Sequence, residues 1–167
     1  LDQKLELEAV HFSQEPFTDS SPEKKSQQIC DKLGIKLHMI NIGKELEQLS
    51  KKCQHRFYFI LSKRLMHRRA ETLATKLKAE VLINGENLGQ VSSQTLENLR
   101  TIDASTKMPI LRPLLTYDKQ ETINKAKEYN LYEIATGPEM CDALGPKYPA
   151  TKTNIKQIEA EECKLQT

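Results

Sequence analysis

The sequence predicts an α/β domain of three layers: a mostly parallel sheet with helices on both faces. Two observations predict it. Apolar runs of strand length alternate with helical patterns, and most of those patterns carry a recognisable start or stop. A third, the length of 167 residues, suits one domain, and a chain of that size buries roughly 70% of the surface its unfolded form exposes.

Residues 5–12, LELEAVHF, alternate and then turn apolar, as a strand does. After the loop SQEPFTD, SSPEKKSQQICDKLG reads as a helix with Ser21 as N-cap, Pro22 in the first turn and Gly34 as the stop. IKLHMINI is a second strand and GKELEQLSKK a short helix. Residues 57–79, FYFILSKRLMHRRAETLATKLKA, keep helical apolar spacing over about six turns and lead into a third strand, AEVLI. GENLGQVSSQTLENLR, residues 85–100, reads as a turn and the start of a helix entered through the hydroxyl of Ser92 or Ser93. MPILRPL is a fourth strand or extended segment, because Pro109 and Pro113 exclude a helix. Asp118 with Glu121 three residues later forms a capping box that opens DKQETINKAKEYN. Residues 137–152 hold two glycines and three prolines and read as a loop, and IKQIEAEECKL is a last helix. The opening LDQKLE reads as the end of a helix, which places a first strand and its following turn upstream of Leu1.

Hydrophobic content of 38%, without an apolar run of membrane-spanning length or a signal-peptide pattern, points to a cytoplasmic protein with no membrane partner. With 25 basic and 23 acidic residues the net charge is +2, so nucleic-acid binding has to come from local patches. The four cysteines form no Cys-x-x-Cys pair, which argues against a zinc ribbon and gives no metal site; Cys30, Cys53 and Cys163 receive no role. The six glycines fit neither a Walker loop nor a dinucleotide fingerprint.

Ligands of open α/β sheets bind at the carboxyl ends of strands, where NGENLGQVSSQ leaves AEVLI. Gly85 lets a flat ring approach the backbone, Glu86 can accept from hydroxyls or a metal, and Gln94 offers a donor and an acceptor; a polar loop feeding a helix is the plainer alternative. Lys119 sits in a first helical turn, where the dipole prefers anions, so with the free N–H groups it makes a phosphate clamp unless it is simply solvated. Lys63 and His67 lie one turn apart beside Arg64 and Arg68, a basic face suited to phosphate or RNA backbone, or again a solvated one. Cys141 lies in a loop too rich in turn residues to be core. Lys147 and Lys152 would lower its pKa, and Asp142 would oppose them.

EAVHF, the SKRLM helix, INGENLGQVSSQTLENLRTID, ILRPLLTYDKQETI, PEMC and PATK…IEAEE, in this order, resemble the ATP-pyrophosphatase (PP-loop) domain of the tRNA 4-thiouridine synthases, the thiamine-biosynthesis sulfurtransferases. The resemblance runs from about residue 7 to 163. It implies a Rossmann-like adenine nucleotide alpha-hydrolase fold and an ATP-dependent activity: uridine O4 of tRNA is adenylated, and a persulfide supplies sulfur at C4 with loss of AMP. It implies that His11 and Phe12 line the adenine pocket, Lys63 faces the nucleotide, and Gly85 and Gln94 contact its adenine or ribose side. Lys119 then steadies phosphate charge and Cys141 is the catalytic thiol. ATP with Mg2+ is the implied cofactor. The implied partners are tRNA and a sulfur carrier, such as a cysteine desulfurase or a rhodanese-like domain, with homodimerisation left open. The family's S-G-G-x-D-S pyrophosphate loop is expected outside residues 1–167, which alone should bind ATP poorly, and residues 153–167 form a helix leading toward a further domain. Two alternatives stay open: a non-catalytic nucleotide- or RNA-binding module of the same fold, and another PP-loop enzyme, such as a 2-thiolating tRNA enzyme or an amidating ligase.

Overall fold

The structure, a computed structural model, describes residues 5–136 and 143–165. The chain divides into two compact units, Leu1–Gly43 with Ile123–Ala143 and Lys44–Thr122 with Leu144–Thr167.

In the first unit β1 (Glu8–Ser13) and β2 (Lys36–Asn41) pair in parallel, from Glu8 opposite Lys36 to Ser13 opposite Asn41, with α1 (Ser21–Leu33) between them in the chain. The helix starts one residue differently from the sequence expectation. Ser20, not Ser21, is the cap and makes no side-chain cap bond, while Asp19 Oδ1 accepts from the Ser21 N–H at 2.9 Å. Gly34 ends α1 as expected, at φ 65°, a left-handed conformation that costs glycine little. Gly43 answers to space instead. A Cβ there would lie 2.1 Å from the carbonyl oxygen of Glu15, so the turn after β2 closes only without a side chain.

The second unit contains most of the buried apolar side chains. Its longest element, α3 (Tyr58–Leu77), follows a 3-10 turn at His55–Phe57 and buries Tyr58, Ile60 and Leu61. Leu46 and Leu49 of α2 (Gly43–Lys52), Leu99 and Ile102 of α4 (Leu96–Asp103) and Ile158 of the last helix (Ile155–Cys163) complete this core. The strands β3 (Leu82–Ile83) and β4 (Ile110–Leu111) pair in parallel but are shorter than AEVLI and MPILRPL suggest. Lys78 caps α3 in a left-handed conformation, and Pro109 and Pro113 on the partner side have no N–H to extend the ladder.

Asp118 and Glu121 open α5 (Lys119–Glu128) with the expected reciprocal box: each backbone N–H donates to the other's carboxylate, at 2.7 and 2.8 Å. A four-residue helix, α6 (Tyr132–Ala135), was not visible in the sequence; it packs on α1, and the last helix is therefore α7. Every strand pairing among the described residues is parallel, and strands alternate with helices. The fold is α/β.

Candidate functional site

Beyond the end of β3 in the second unit, a network of two cations and two anions, Lys63, Arg112, Asp103 and Glu86 itself, centres on Glu86, which is buried. Lys63 Nζ on α3 donates to Glu86 Oε1 at 2.5 Å, and Arg112, just past β4, donates from Nε to Oε2 at 3.0 Å. Arg112 also grips both oxygens of Asp103 at the end of α4, at 2.5 and 3.1 Å. Asn84 closes the turn. Its Oδ1 accepts from the Glu86 N–H, which fixes the amide orientation, and its Nδ2 donates to Glu86 Oε2 at 3.1 Å and lies 3.3 Å from His67 Nε2.

Burial alone would raise the Glu86 carboxyl, but Lys63 and Arg112 override it and hold the group below the usual carboxylate range. Burial pushes the His67 imidazole down against a partial opposing pull from Glu86. His67 is therefore neutral, accepts at Nε2 and carries its proton on Nδ1, a buried atom with no partner. An ammonium has three donors and Glu86 uses one, which leaves two on Lys63 for a ligand.

Glu86 already accepts from Lys63, Arg112 and Asn84, so the role its contacts show is to orient Lys63. Arg112, absent from the sequence reading, is the counterweight. Arg112→Met in the full-length protein is expected to lower stability by about 2 kcal/mol, because it removes one of the two cations that hold the buried Glu86 carboxylate. The deficit should shrink in acid. Glu86 has a depressed folded pKa, so its contribution is present above the unfolded value near 4.5 and is lost as pH falls through the lower folded value. Denaturant titrations of both proteins at neutral and acid pH measure this.

The polar loop after β3 is tied to the start of α5. Leu88 N–H donates to Leu115 O at 2.9 Å, and the buried Asn87 amide donates to the carbonyls of Leu114 and Tyr117. Gly85, expected to lie open for a flat ring, has only Leu114 Cδ1 within reach of an added Cβ, at 3.9 Å. Gln94 is held by its backbone, accepting from Gly89 N–H at 2.8 Å and donating to Val91 O at 2.9 Å, while its side-chain Oε1 is buried without a partner. Such an orphaned acceptor costs about 1–3 kcal/mol until a donor meets it. Thr95, not Ser92 or Ser93, caps α4, accepting from Asn98 N–H at 3.3 Å.

The basic face expected around SKRLMHRR is corrected more sharply. Arg64 is 1% exposed: its Nε and Nη2 hold both oxygens of Glu162 on α7 at 2.8 and 2.9 Å, and its Nη1 donates to Thr101 O. Arg68 adds a third bond to Glu162 at 2.6 Å. These arginines clamp α7 to α3; Arg64 is thereby removed from any phosphate surface, whereas the Arg68 side chain stays 42% exposed.

His11 and Phe12 belong to the first unit, at the end of β1. His11 Nδ1 shares a hydrogen bond with Ser26 Oγ at 2.8 Å. Burial lowers its pKa, with Glu23 pulling the other way. Lys63, Gly85, Gln94 and Lys119 fall in the second unit, and Lys119 is exposed at the first position of α5. Cys141, like Asp142, lies outside the described residues. Cys30 and Cys53 are buried, and burial is the main cause that raises both thiols. Among the described residues no group of three His, Cys, Asp or Glu is placed to hold a metal ion, and no helix is long and apolar enough to cross a membrane.

The model of the thiamine biosynthesis protein ThiI matches residues 1–167. A probable tRNA sulfurtransferase of Thermoanaerobacter pseudethanolicus is 40% identical over 166 residues, covering 95% of this chain and 44% of the relative. A Staphylococcus aureus protein described in the same words is 37% identical over 159 residues, covering 91% and 39%. The chain thus spans less than half the length of these relatives. The crystal structure of a 4-thiouridine synthetase–RNA complex with bound ATP has the same fold, with a TM-score of 0.91 and 36% identity over 95% of this chain and 44% of that one. The match of a single family model along the whole chain settles the grouping: the chain belongs to the ThiI family of thiamine biosynthesis proteins.

Proposed function

We propose that the chain is the nucleotide-binding and sulfur-transfer core of an ATP-dependent tRNA uridine 4-sulfurtransferase. One observation carries the reading: the likeness, over 95% of the chain, to a 4-thiouridine synthetase solved with RNA and ATP. In this reading residues 1–167 are a PP-loop domain completed by a pyrophosphate loop elsewhere in the full-length protein, and α7 leads toward a further domain.

Each assigned residue has a physical reason. His11, neutral and anchored by Ser26, and Phe12 form the apolar side of an adenine pocket. The orphaned Gln94 Oε1 accepts a donor from the adenine or ribose side, and the open backbone at Gly85 admits the nucleotide. Lys63, steadied by Glu86, and Lys119, at a helix start, supply cationic donors to phosphate. Cys141 supplies the thiol for exchange with a persulfide carrier, either a cysteine desulfurase or a rhodanese-like domain. Mg2+ enters with the nucleotide as the counter-ion of its phosphates, since Glu86 is already paired. A cytoplasmic location follows from a tRNA substrate.

The test is the product nucleoside. Full-length protein given tRNA, ATP and a persulfide donor should form 4-thiouridine with release of AMP. Formation of 2-thiouridine, or ATP and RNA binding without any thiolation, overturns the reading in favour of another PP-loop enzyme or a non-catalytic module.

A further inference from the structure

We propose that residues 144–150 form a stacking platform for one base of single-stranded RNA, with the Tyr148 ring as its surface and Lys147, Lys152 and Arg56 as the cationic rim. The inference rests on the tRNA reading above and adds the part of the surface that meets RNA.

Tyr148 is 78% exposed, the most exposed of the large hydrophobic side chains in the described residues. An aromatic ring left in water is ordinary on a loose loop, but this loop is fixed at both ends. The Leu144 carbonyl accepts from His55 Nε2 at 2.7 Å, and the Ala150 N–H donates to the carbonyl of the next residue, Arg56, at 2.9 Å. The Asn98 amide, itself fully buried, donates to the Ala150 carbonyl at 3.1 Å. Pro146 and Pro149 flank the tyrosine and stiffen the backbone between these anchors. The ring is therefore presented rather than dangling, which lowers the ordering cost of any contact it makes.

The surroundings choose the ligand. Lys147 Nζ lies 5.5 Å from the Tyr148 ring centroid and occupies one face of the ring, leaving the other for a planar group. Lys152 is 80% exposed and bound only loosely to Glu97, at 3.7 Å, and Arg56 is exposed above Phe57. A ring with a lysine over one face, on a loop next to Lys152, departs from the centre of a protein interface, which is depleted in lysine. It matches single-stranded nucleic acid: a base on the aromatic face, with phosphates along the cations.

The experiment measures tRNA affinity of the full-length protein at several salt concentrations. Tyr148→Ala should weaken binding about tenfold without changing the salt slope, and Tyr148→Trp should restore it, because stacking is tolerant of ring type. Lys147→Ala should instead reduce the salt slope by about one. Wild-type affinity in Tyr148→Ala, or failure of tryptophan to restore a lost affinity, overturns the platform alone. A wild-type protein that binds no RNA overturns the functional reading, and the platform with it.

Discussion

Replacing Lys119 by alanine in the full-length protein should lower the rate of tRNA thiolation at saturating ATP by about 10²–10³-fold, the range seen when one charge-stabilising donor is removed from a transition state. Folding should be untouched. Lys119 is exposed, and the box that starts α5 is made by Asp118 and Glu121 without it, so stability should move by less than about 0.5 kcal/mol. The buried Asn87 amide ties the loop after β3 to the Tyr117 carbonyl, two residues before Lys119. ATP affinity should fall far less than the rate, because a donor used as charge develops contributes little to ground-state binding. Single-turnover rates and ATP titrations separate the two quantities. Unchanged turnover removes Lys119 from the chemistry, and an equal loss in affinity and rate makes it a simple binding residue.

Features set by neighbours along the chain were legible in the sequence. The capping box, the glycine stop of α1 and the helical period of α3 each follow from residues a few positions apart, and all three stand in the structure. The failures share a cause as well. Arg64 and Arg68 looked like part of a basic face because nothing local reveals that their acceptor, Glu162, lies 98 and 94 residues away. Glu86 looked free for a ligand for the same reason: Arg112 reaches it from 26 residues on. Asn87 and Asn98 read as ordinary loop and helix polarity, yet both are buried and bond to carbonyls far along the chain. Polar residues whose partners are distant carry no periodic signal, so composition treats them as surface. The candidate site residues follow from the family resemblance, and the structure adds what holds one of them, Lys63, in place.

Cys141→Ala should abolish 4-thiouridine formation while ATP affinity and tRNA affinity stay at the wild-type level. The reactive species in sulfur transfer is a thiolate, and alanine offers no substitute. Nor can another described thiol take over. Cys30 is 6% exposed and Cys53 is 9% exposed, burial holds both in the protonated form, and the Cys53 Sγ donates to the Glu161 carbonyl at 3.5 Å. Cys163 is the exposed cysteine among the described residues, at the end of α7, and so is the necessary control. Cys163→Ala should thiolate tRNA at the wild-type rate. Nucleoside analysis of tRNA after reaction, beside ATP and tRNA titrations of each variant, distinguishes the outcomes. Normal product from Cys141→Ala with loss in Cys163→Ala moves the thiol to α7. Loss of ATP binding in Cys141→Ala makes the cysteine structural, because a residue used only for sulfur exchange leaves the adenylation half of the site intact.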